Sequence, residues 1–379
     1  MSPAGIYIHI PFCRARCSYC DFATGAYDAA LADRYVLAVE REVEAFAPAG
    51  DGADVDTVYF GGGTPSLLTP AQLSRLLGAV RRRFRVSDDA EVTMEMNPGT
   101  VSPEVLDGFR AAGVNRASFG AQTFDDAELR RLGRTHTADD VRRTLSLLRG
   151  AGFDNVSFDL IAGLPAQTLA AWERNLAEAL ALGPEHLSLY LLEVHEATPL
   201  AAQIREGRYQ PPDADLAAEM YELMVERTRA EGFEQYEISN FCRAGRESRH
   251  NTKYWTGEPF YGFGCSAHSF DGRASRWSNE RDVRAYVNLV ESEGAAVVER
   301  VELDEREAGA EALFLGLRLL RRGVDLSEHR ARFRRDVREE YAEDLRRFGE
   351  AGLLEMEGDV LRLTARGALL SNEVFAAFV

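Results

Sequence analysis

The stretch YIHIPFCRARCSYCDF, residues 7–22, joins a short apolar run to a polar loop that holds three cysteines. The run GIYIHI, residues 5–10, is rich in β-branched and aromatic residues, which predicts a strand. Cys13, Cys17 and Cys20 follow it with the spacing CxxxCxxC. Five cysteines in 379 residues, an odd number with three of them clustered at one end, do not resemble the framework of a small disulfide-rich domain. We therefore expect the clustered thiols to be reduced and to bind a ligand.

The composition limits the compartment and the partners. The sequence has no apolar run of about 18 residues and no basic segment followed by a hydrophobic one at its start. It has 44 basic and 61 acidic residues, a net charge of −17, which would repel a phosphate backbone. The basic run RRRFR, residues 81–85, is predicted to be a solvated helix end. The sequence therefore predicts a cytoplasmic protein with no transmembrane segment and no nucleic-acid partner.

Short apolar runs alternate with segments of helical period from residue 5 to about residue 240. Six such pairs in a row predict a parallel sheet with helices outside it, either a partial barrel or a doubly wound sheet. Several helical segments begin after Thr, Ser or Asp, as helix caps require. The predicted strands cover residues 5–10, 57–62, 91–96, 116–121, 155–163 and 186–194, and the predicted helices cover residues 30–46, 70–84, 102–113, 137–152, 168–183 and 214–232.

Unusual residues stand directly after the predicted strands. A strand ends at each of the segments HIPFC (9–13), GGGTP (61–65), EMNPG (95–99), GAQTF (120–124) and DLIAGLP (159–165). This is the C-terminal edge, where a barrel of βα units builds its site. A Rossmann sheet would instead place GxGxxG after its first strand, and that fingerprint is absent there. The sequence therefore favours the partial barrel.

The regular alternation stops after the barrel. We predict a barrel over residues 1–235, a connecting region over residues 236–300 and a C-terminal domain over residues 301–379. The connecting region is rich in Gly, Asn and aromatic residues and contains HNTKYW, residues 250–255. The end of the chain predicts two short strands around a tight turn, flanked by helices, which suggests a small winged-helix-like module. The acidic balance favours a structural lid or a dimerisation domain over DNA binding.

Three thiols on one loop can hold zinc or an iron–sulfur cluster. A structural zinc site usually needs a fourth ligand and prefers paired CxxC knuckles, of which this loop has one. In a [4Fe–4S] cluster, three thiolates leave one iron without a protein ligand. That iron can accept a substrate or a cofactor. Zinc therefore fits the spacing poorly, and the cluster fits it better.

The motifs resemble those of the radical S-adenosylmethionine (SAM) superfamily, and more narrowly those of the coproporphyrinogen dehydrogenase and HemW group. YIHIPFCxxxCxYCDF, GGGTP, EMNP, SFGAQTF and DLIAGLP carry this resemblance, and they occur in the same order at compatible distances. The resemblance covers nearly the whole chain. It implies a partial (β/α)6 radical SAM barrel with a small helical, winged-helix-like C-terminal domain. It also implies a [4Fe–4S] cluster and SAM as cofactors.

The resemblance assigns roles to individual residues. It makes Cys13, Cys17 and Cys20 the cluster ligands, with SAM chelating the open iron. Carboxylates and an amide suit the ammonium and ribose hydroxyls of SAM, and a guanidinium suits its carboxylate. The residues that match the SAM contacts of the family are Tyr7, Tyr19, Gly62, Gly63, Thr64, Glu95, Gln122, Arg134 and Asp159.

The resemblance leaves two functions open. One is oxygen-independent coproporphyrinogen III dehydrogenase, which decarboxylates two propionates by radical chemistry. The other is a haem chaperone, which binds haem and passes it to acceptor proteins. The dehydrogenases usually carry a cysteine two positions after the third, where this chain has Phe22, and an extension ahead of the cysteine loop, for which Cys13 leaves room only for the first strand. HNTKYW matches the HNxxYW motif typical of the chaperone branch.

We therefore predict a haem chaperone that lacks dehydrogenase activity. An imidazole can ligate haem iron while aromatic rings pack on the porphyrin, so His250, Asn251, Tyr254 and Trp255 are the candidate haem-binding residues. The resemblance also implies haem-accepting proteins, including those of the respiratory chain, as partners, and a homodimer as a candidate assembly. Weaker haem candidates, by residue type alone, are His268, Cys242 and Cys265, and His9 is predicted to point into the barrel or to anchor the loop.

Overall fold

The computed structural model describes residues 2–47 and 53–378. The strands are β1 (Ala4–Ile10), β2 (Phe12–Cys13), β3 (Gly25–Ala26), β4 (Asp54–Gly62), β5 (Arg85–Met96), β6 (Arg116–Gln122), β7 (Val156–Ala162), β8 (His186–Leu191), β9 (Glu234–Glu237), β10 (Asn240–Cys242), β11 (Phe260–Phe263), β12 (His268–Phe270), β13 (Ser275–Asn279), β14 (Val297–Glu302), β15 (Val324–Asp325), β16 (Leu354–Glu357) and β17 (Val360–Leu363).

The helices alternate with the strands in the first part of the chain and dominate the last. They are α1 (Ala29–Ala45), α2 (Pro70–Arg83), α3 (Pro103–Ala112), α4 (Asp126–Arg131), α5 (Ala138–Gly150), α6 (Leu169–Ala181), α7 (Pro199–Arg205), α8 (Ala214–Ala230), α9 (Arg249–Thr256), α10 (Val283–Glu293), α11 (Glu305–Leu317), α12 (Leu326–Phe333), α13 (Val337–Glu340), α14 (Ala342–Glu350), α15 (Ala365–Leu369) and α16 (Ser371–Phe375), with a 3₁₀ turn at Pro65–Leu67.

The six predicted strands are β1, β4, β5, β6, β7 and β8, and they stand side by side in that order in one parallel sheet. Consecutive order without reversal is the wall of a barrel, because a doubly wound sheet reverses its order at a switch point. The predicted partial barrel is therefore confirmed. The predicted helix starts also hold, since Asp28, Thr69, Ser102 and Thr137 each cap a helix with a side-chain hydrogen bond.

Successive side chains of each strand point to opposite faces of the sheet. Ile6 and Ile8 of β1 are fully buried in the main hydrophobic core, together with apolar residues of the helices. Tyr7 lies between them in sequence and faces the other side, where it stacks near Tyr59 of β4 with ring centroids 6.1 Å apart. Because side chains alternate along a strand, the barrel has an apolar outer layer and a polar lumen.

The residues predicted as a connecting region belong to the same sheet. In the part of the chain that the structure describes, twelve strands form this sheet, and β9 to β14 are six of them. β11 runs parallel to β1, with Tyr7 opposite Gly262, and so adds a seventh parallel strand that the sequence did not predict. The buried Glu42 of α1 ties this region down by accepting hydrogen bonds from Gly264 N, Asn279 Nδ2 and the Tyr286 hydroxyl.

The C-terminal part has its own core and a short sheet ordered β15-β17-β16. The two short strands predicted there are β16 and β17, and Gly358 turns between them with φ +60°. Arg318 joins this part to the barrel. Its Nη2 lies 2.5 Å from Glu237 Oε1, and its guanidinium stacks 4.3 Å from the ring centroid of Trp255. Among the described residues, no helix is long and apolar enough to cross a bilayer.

Candidate functional site

The segments predicted to surround a site meet at the C-terminal edge of the barrel. Gly63 N donates to Ile10 O over 2.8 Å, which joins the loop after β1 to the loop after β4. Asn97, after β5, donates through Nδ2 to Thr64 Oγ1 over 2.8 Å and accepts through Oδ1 from Arg134 Nη2 over 2.9 Å. These hydrogen bonds link four consecutive βα loops into one rim.

The cysteine loop lies across this rim. Ser18 N donates to Leu132 O over 2.9 Å, and Ser18 O accepts from Leu200 N over 2.8 Å, which fixes the middle of the loop. All three of its cysteines are free thiols and are partly exposed. Two of their sulfurs already have donors. Thr64 Oγ1 lies 3.5 Å from Cys13 Sγ, and Arg134 Nη1 lies 3.4 Å from Cys17 Sγ. Hydrogen bonds from such donors favour the thiolate that binds iron.

Burial raises the pKa of the Cys13 and Cys20 thiols. Both are therefore protonated in the metal-free protein at neutral pH, and binding a metal centre releases their protons. Within residues 2–47 and 53–378, no three His, Cys, Asp or Glu side chains converge on a single ion. The thiolates of a cubane cluster bind separate irons. Whether the cysteine loop can hold a cluster therefore depends on how its backbone and sulfurs are held in place, and a single shared ion position is not required.

The glycine run 61–63 lets the rim approach the cysteine loop. A Cβ on Gly63 would lie 2.8 Å from Phe12 O and 3.0 Å from Cys13 Sγ, and one on Gly61 would lie 2.8 Å from the Tyr7 ring. Gly62 has φ +113°, which other residues rarely adopt. Each of the three positions thus has its own steric reason to be glycine, and Gly63 leaves space beside the Cys13 sulfur.

The predicted SAM residues line the lumen below this loop. Glu95 accepts from the Tyr59 hydroxyl over 2.7 Å and from Gly62 N over 3.1 Å, and burial raises its pKa to about 7. Asp159, from β7, has the Ser118 hydroxyl 3.5 Å away, and burial raises its pKa as well. The structure therefore brings two carboxylates to one wall of the lumen.

The remaining predicted SAM residues border the same mouth. Gln122 ends β6 with φ +66°. Tyr19 packs against Leu132, Ile161 and Leu164, so its ring is held beside the cysteine loop.

A cavity of about 200 Å³ opens next to Cys17, and Arg134 is among its lining residues. Two nitrogens of Arg134 are engaged with the rim, whereas its buried Nε has no hydrogen-bond partner. Thr64, Asn97, His136 and Asp140 also line this cavity. A polar cavity beside a thiol, with an unpaired guanidinium nitrogen, fits an anionic or polar ligand at the cluster.

The candidate haem residues lie at the opposite end of the barrel. His250 is 1% exposed, its Nδ1 lies 2.9 Å from Thr57 Oγ1, and its Nε2 lies 2.9 Å from the Tyr254 hydroxyl. Thr57 is opposite Gly5 at the start of β1, so α9 closes the N-terminal end of the lumen. Burial lowers the pKa of His250 to about 3. Both ring nitrogens of His250 are thus occupied, so neither is free to ligate haem iron in this arrangement.

The neighbours of His250 have structural partners as well. Tyr254 packs edge-on against Phe260, with ring centroids 4.6 Å apart. Trp255 lies under the Arg318 guanidinium. The backbone N–H of Asn251 donates to Ser248 Oγ, which caps the start of α9. Lys253, which the sequence analysis did not single out, anchors α9 through Asp56 and Glu258, each 2.8 Å from its Nζ.

Comparison with known proteins identifies the family. The Radical SAM superfamily matches residues 7–179, and the HemN C-terminal domain matches residues 303–370. The chain is 39% identical to the heme chaperone HemW of Bacillus subtilis (strain 168) over 98% of each chain. It is 38% identical to the heme chaperone HemW of Mycobacterium tuberculosis (strain H37Rv) over 98% of this chain and 94% of that protein. The chain belongs to the HemW family.

A solved structure supports the architecture of this HemW-family chain. The coproporphyrinogen III oxidase HemN of Escherichia coli, a radical SAM enzyme, is similar over 99% of this chain and 90% of that chain. The TM-score is 0.86 at 26% identity. The predicted fold class is thereby confirmed, and membership of the radical SAM superfamily implies a [4Fe–4S] cluster and SAM.

One rim residue was missed by the sequence analysis. Asn97 was quoted within EMNPG but was given no role, although it is the hydrogen-bonding hub between Thr64 and Arg134. Its place directly after β5, at the C-terminal edge where a barrel builds its site, could have indicated it.

We expect Gly63→Ala to prevent cluster assembly while the barrel still folds. The added methyl would press on Phe12 O and Cys13 Sγ, an overlap that costs about 1–3 kcal/mol in a packed site. After anaerobic reconstitution, iron should fall from about four to below about one per chain. Gly150→Ala is the matched control, because its Cβ would meet nothing within 4 Å. Full iron content in Gly63→Ala would contradict this role of the glycine.

Proposed function

We propose that this protein is a haem chaperone that carries a [4Fe–4S] cluster and SAM at the rim of its barrel and passes bound haem to acceptor proteins. The observation that carries the proposal is the near full-length similarity to two proteins named heme chaperone HemW. The polar rim around three free thiols supports the cofactor part of the proposal.

Cys13, Cys17 and Cys20 are the proposed ligands of three irons. When bound, a reduced cluster of this kind supplies an electron and an open iron to which the amino and carboxylate groups of SAM can bind. The chain contributes the support around it. Thr64 and Arg134 donate hydrogen bonds to two of the sulfurs, and the loop is fixed through Ser18.

The lumen is the proposed site of SAM. Glu95 is proposed to accept a hydrogen bond from the amino group, and its contact with Gly62 N at the glycine run supports this. Asp159 and Gln122 are proposed to meet the ribose hydroxyls, and Arg134 the carboxylate. Tyr7 and Tyr19 border the ligand with their rings.

Coproporphyrinogen III dehydrogenase is the second candidate, because the fold is similar to that of HemN. One residue on the cysteine loop argues against it. At the position where the dehydrogenase motif has a further cysteine, this chain has Phe22, whose side chain is 62% exposed. A phenyl ring has no thiol chemistry, so it cannot stand in for that cysteine.

A pair of assays on the anaerobically reconstituted protein separates the two functions. We expect about one haem per chain, with a Soret band, and no decarboxylated product from coproporphyrinogen III with SAM and a reductant. Transfer of the haem to an apo haem protein should follow on mixing. Turnover of coproporphyrinogen III at about 1 per second, an ordinary enzymatic rate, would instead establish the dehydrogenase.

The raised pKa of Glu95 predicts how SAM binding depends on pH. With a pKa of about 7, the carboxylate is mostly neutral at pH 6 and mostly ionised at pH 8, and the ionised form accepts from the amino group better. The ratio of SAM affinities of wild type and Glu95→Gln should therefore rise about tenfold from pH 6 to pH 8. Titration of SAM itself affects both proteins and cancels in this ratio. A ratio that does not change with pH would remove Glu95 from the SAM site.

A further inference from the structure

We propose that haem binds at the mouth of the barrel, on the loop that follows the cluster cysteines, with His195 as the axial ligand of its iron. This inference rests on the proposed haem-chaperone function and gives it a location. The residues that define this mouth patch are Asp21, Phe22, His195 and Arg281. None of them belongs to the residues proposed above for the cluster or for SAM.

The burial of the other histidines points to His195. All seven histidines of the chain lie in its described part. Five of them are at most 7% exposed, namely His9, His136, His186, His250 and His329. In His9, His186 and His250, both ring nitrogens already have hydrogen-bond partners. An axial ligand needs a free nitrogen and room for a porphyrin, which these sites do not provide.

His195 has a ring that is open to solvent and has no hydrogen bond at either nitrogen within normal distance. It lies in the loop after β8, at the rim, and its side chain is 48% exposed. The Asp21 carboxylate is 3.7 Å from its Nδ1 and the Glu193 carboxylate is 3.9 Å from its Nε2, both longer than a hydrogen bond. A carboxylate beside one ring nitrogen orients an imidazole and leaves the other nitrogen for a metal. Asp21 is suited to this part because its backbone is held, whereas the Glu193 side chain is 75% exposed.

Phe22 supplies an apolar surface on the cysteine loop, beside the Asp21 that lies near this imidazole. It directly follows Asp21, and at 62% it has the most exposed of the large hydrophobic side chains among the described residues. Because the ring is exposed, it is free to pack against a flat apolar ligand. A porphyrin face is a flat apolar partner of matching chemistry.

The charges of the patch suit the two propionates of haem. Arg281 Nη2 donates to Asp21 O over 2.7 Å, and Arg16 Nη2 donates to Cys20 O over 3.3 Å, so two guanidinium groups flank the loop. Guanidinium groups bind carboxylates well. The two propionates give haem a dianionic edge. Because the protein has a net charge of −17, binding that edge requires local cations such as these.

His268 is the other exposed histidine and provides a matched control. It begins β12, where its strand partner is Ser278, and no described contact joins it to the cysteine loop. A haem bound only for its general affinity for imidazole would use His268 as readily as His195.

The test is a haemin titration of the reconstituted full-length protein, followed at the Soret band. His195→Ala should weaken binding roughly 10- to 100-fold and shift the band, as expected when an iron ligand is lost. Added imidazole should restore the band position. Phe22→Ala should weaken binding without moving the band, because it removes packing and leaves the ligand in place. His268→Ala should bind haemin like wild type.

Three other outcomes overturn the proposal. If wild type binds haemin and His195→Ala gives the same affinity and spectrum, the site is wrong although the chaperone function stands. If His268→Ala or His250→Ala loses the ligand band while its iron content stays that of wild type, the axial ligand is that residue. If wild type itself binds no haemin, the proposed function fails together with the site.

Discussion

The close contact between the glycine run and the cysteine loop is the constraint on which the site depends. With no side chain at Gly63, the backbone after β4 comes within hydrogen-bond distance of Ile10 and leaves space beside Cys13 Sγ. The same approach places Thr64 against that sulfur and Gly62 N against Glu95. The support of the thiols and the position of the lumen carboxylate therefore follow from one steric requirement.

Two carboxylates and one guanidinium group are buried in the lumen below this contact. Glu95 and Asp159 are both pushed towards the neutral form by burial, and the Arg116 guanidinium works against this shift in each. Arg116 is itself only 2% exposed. Buried carboxylates near one buried guanidinium keep part of their ionised character, which a cationic ligand such as SAM would increase. At the other end, α9 closes the lumen with His250 and its two hydrogen bonds.

Much of this arrangement could be predicted from local patterns. Strands of alternating apolar residues, capped helices and polar segments after each strand are visible in the sequence, so the six βα units and the rim were predictable. β11 was not, because four residues, FYGF, carry too little periodicity to show that they pair with β1. His250 illustrates a second limit. Its residue type suits an iron ligand, but the sequence does not reveal that Thr57 and Tyr254 occupy its nitrogens. Thr57 is far away in the sequence, and Tyr254 comes within reach only because residues 249–256 form a helix.

We infer that three thiols at the rim hold a four-iron cluster with one iron left open for SAM. Electron paramagnetic resonance of the reduced, anaerobically reconstituted protein, recorded with and without SAM, tests it most directly. We expect the signal of a reduced [4Fe–4S] cluster, about four irons per chain, and a change in that signal when SAM is added. Bound zinc without sulfide, or a four-iron signal that SAM leaves unchanged, would contradict it.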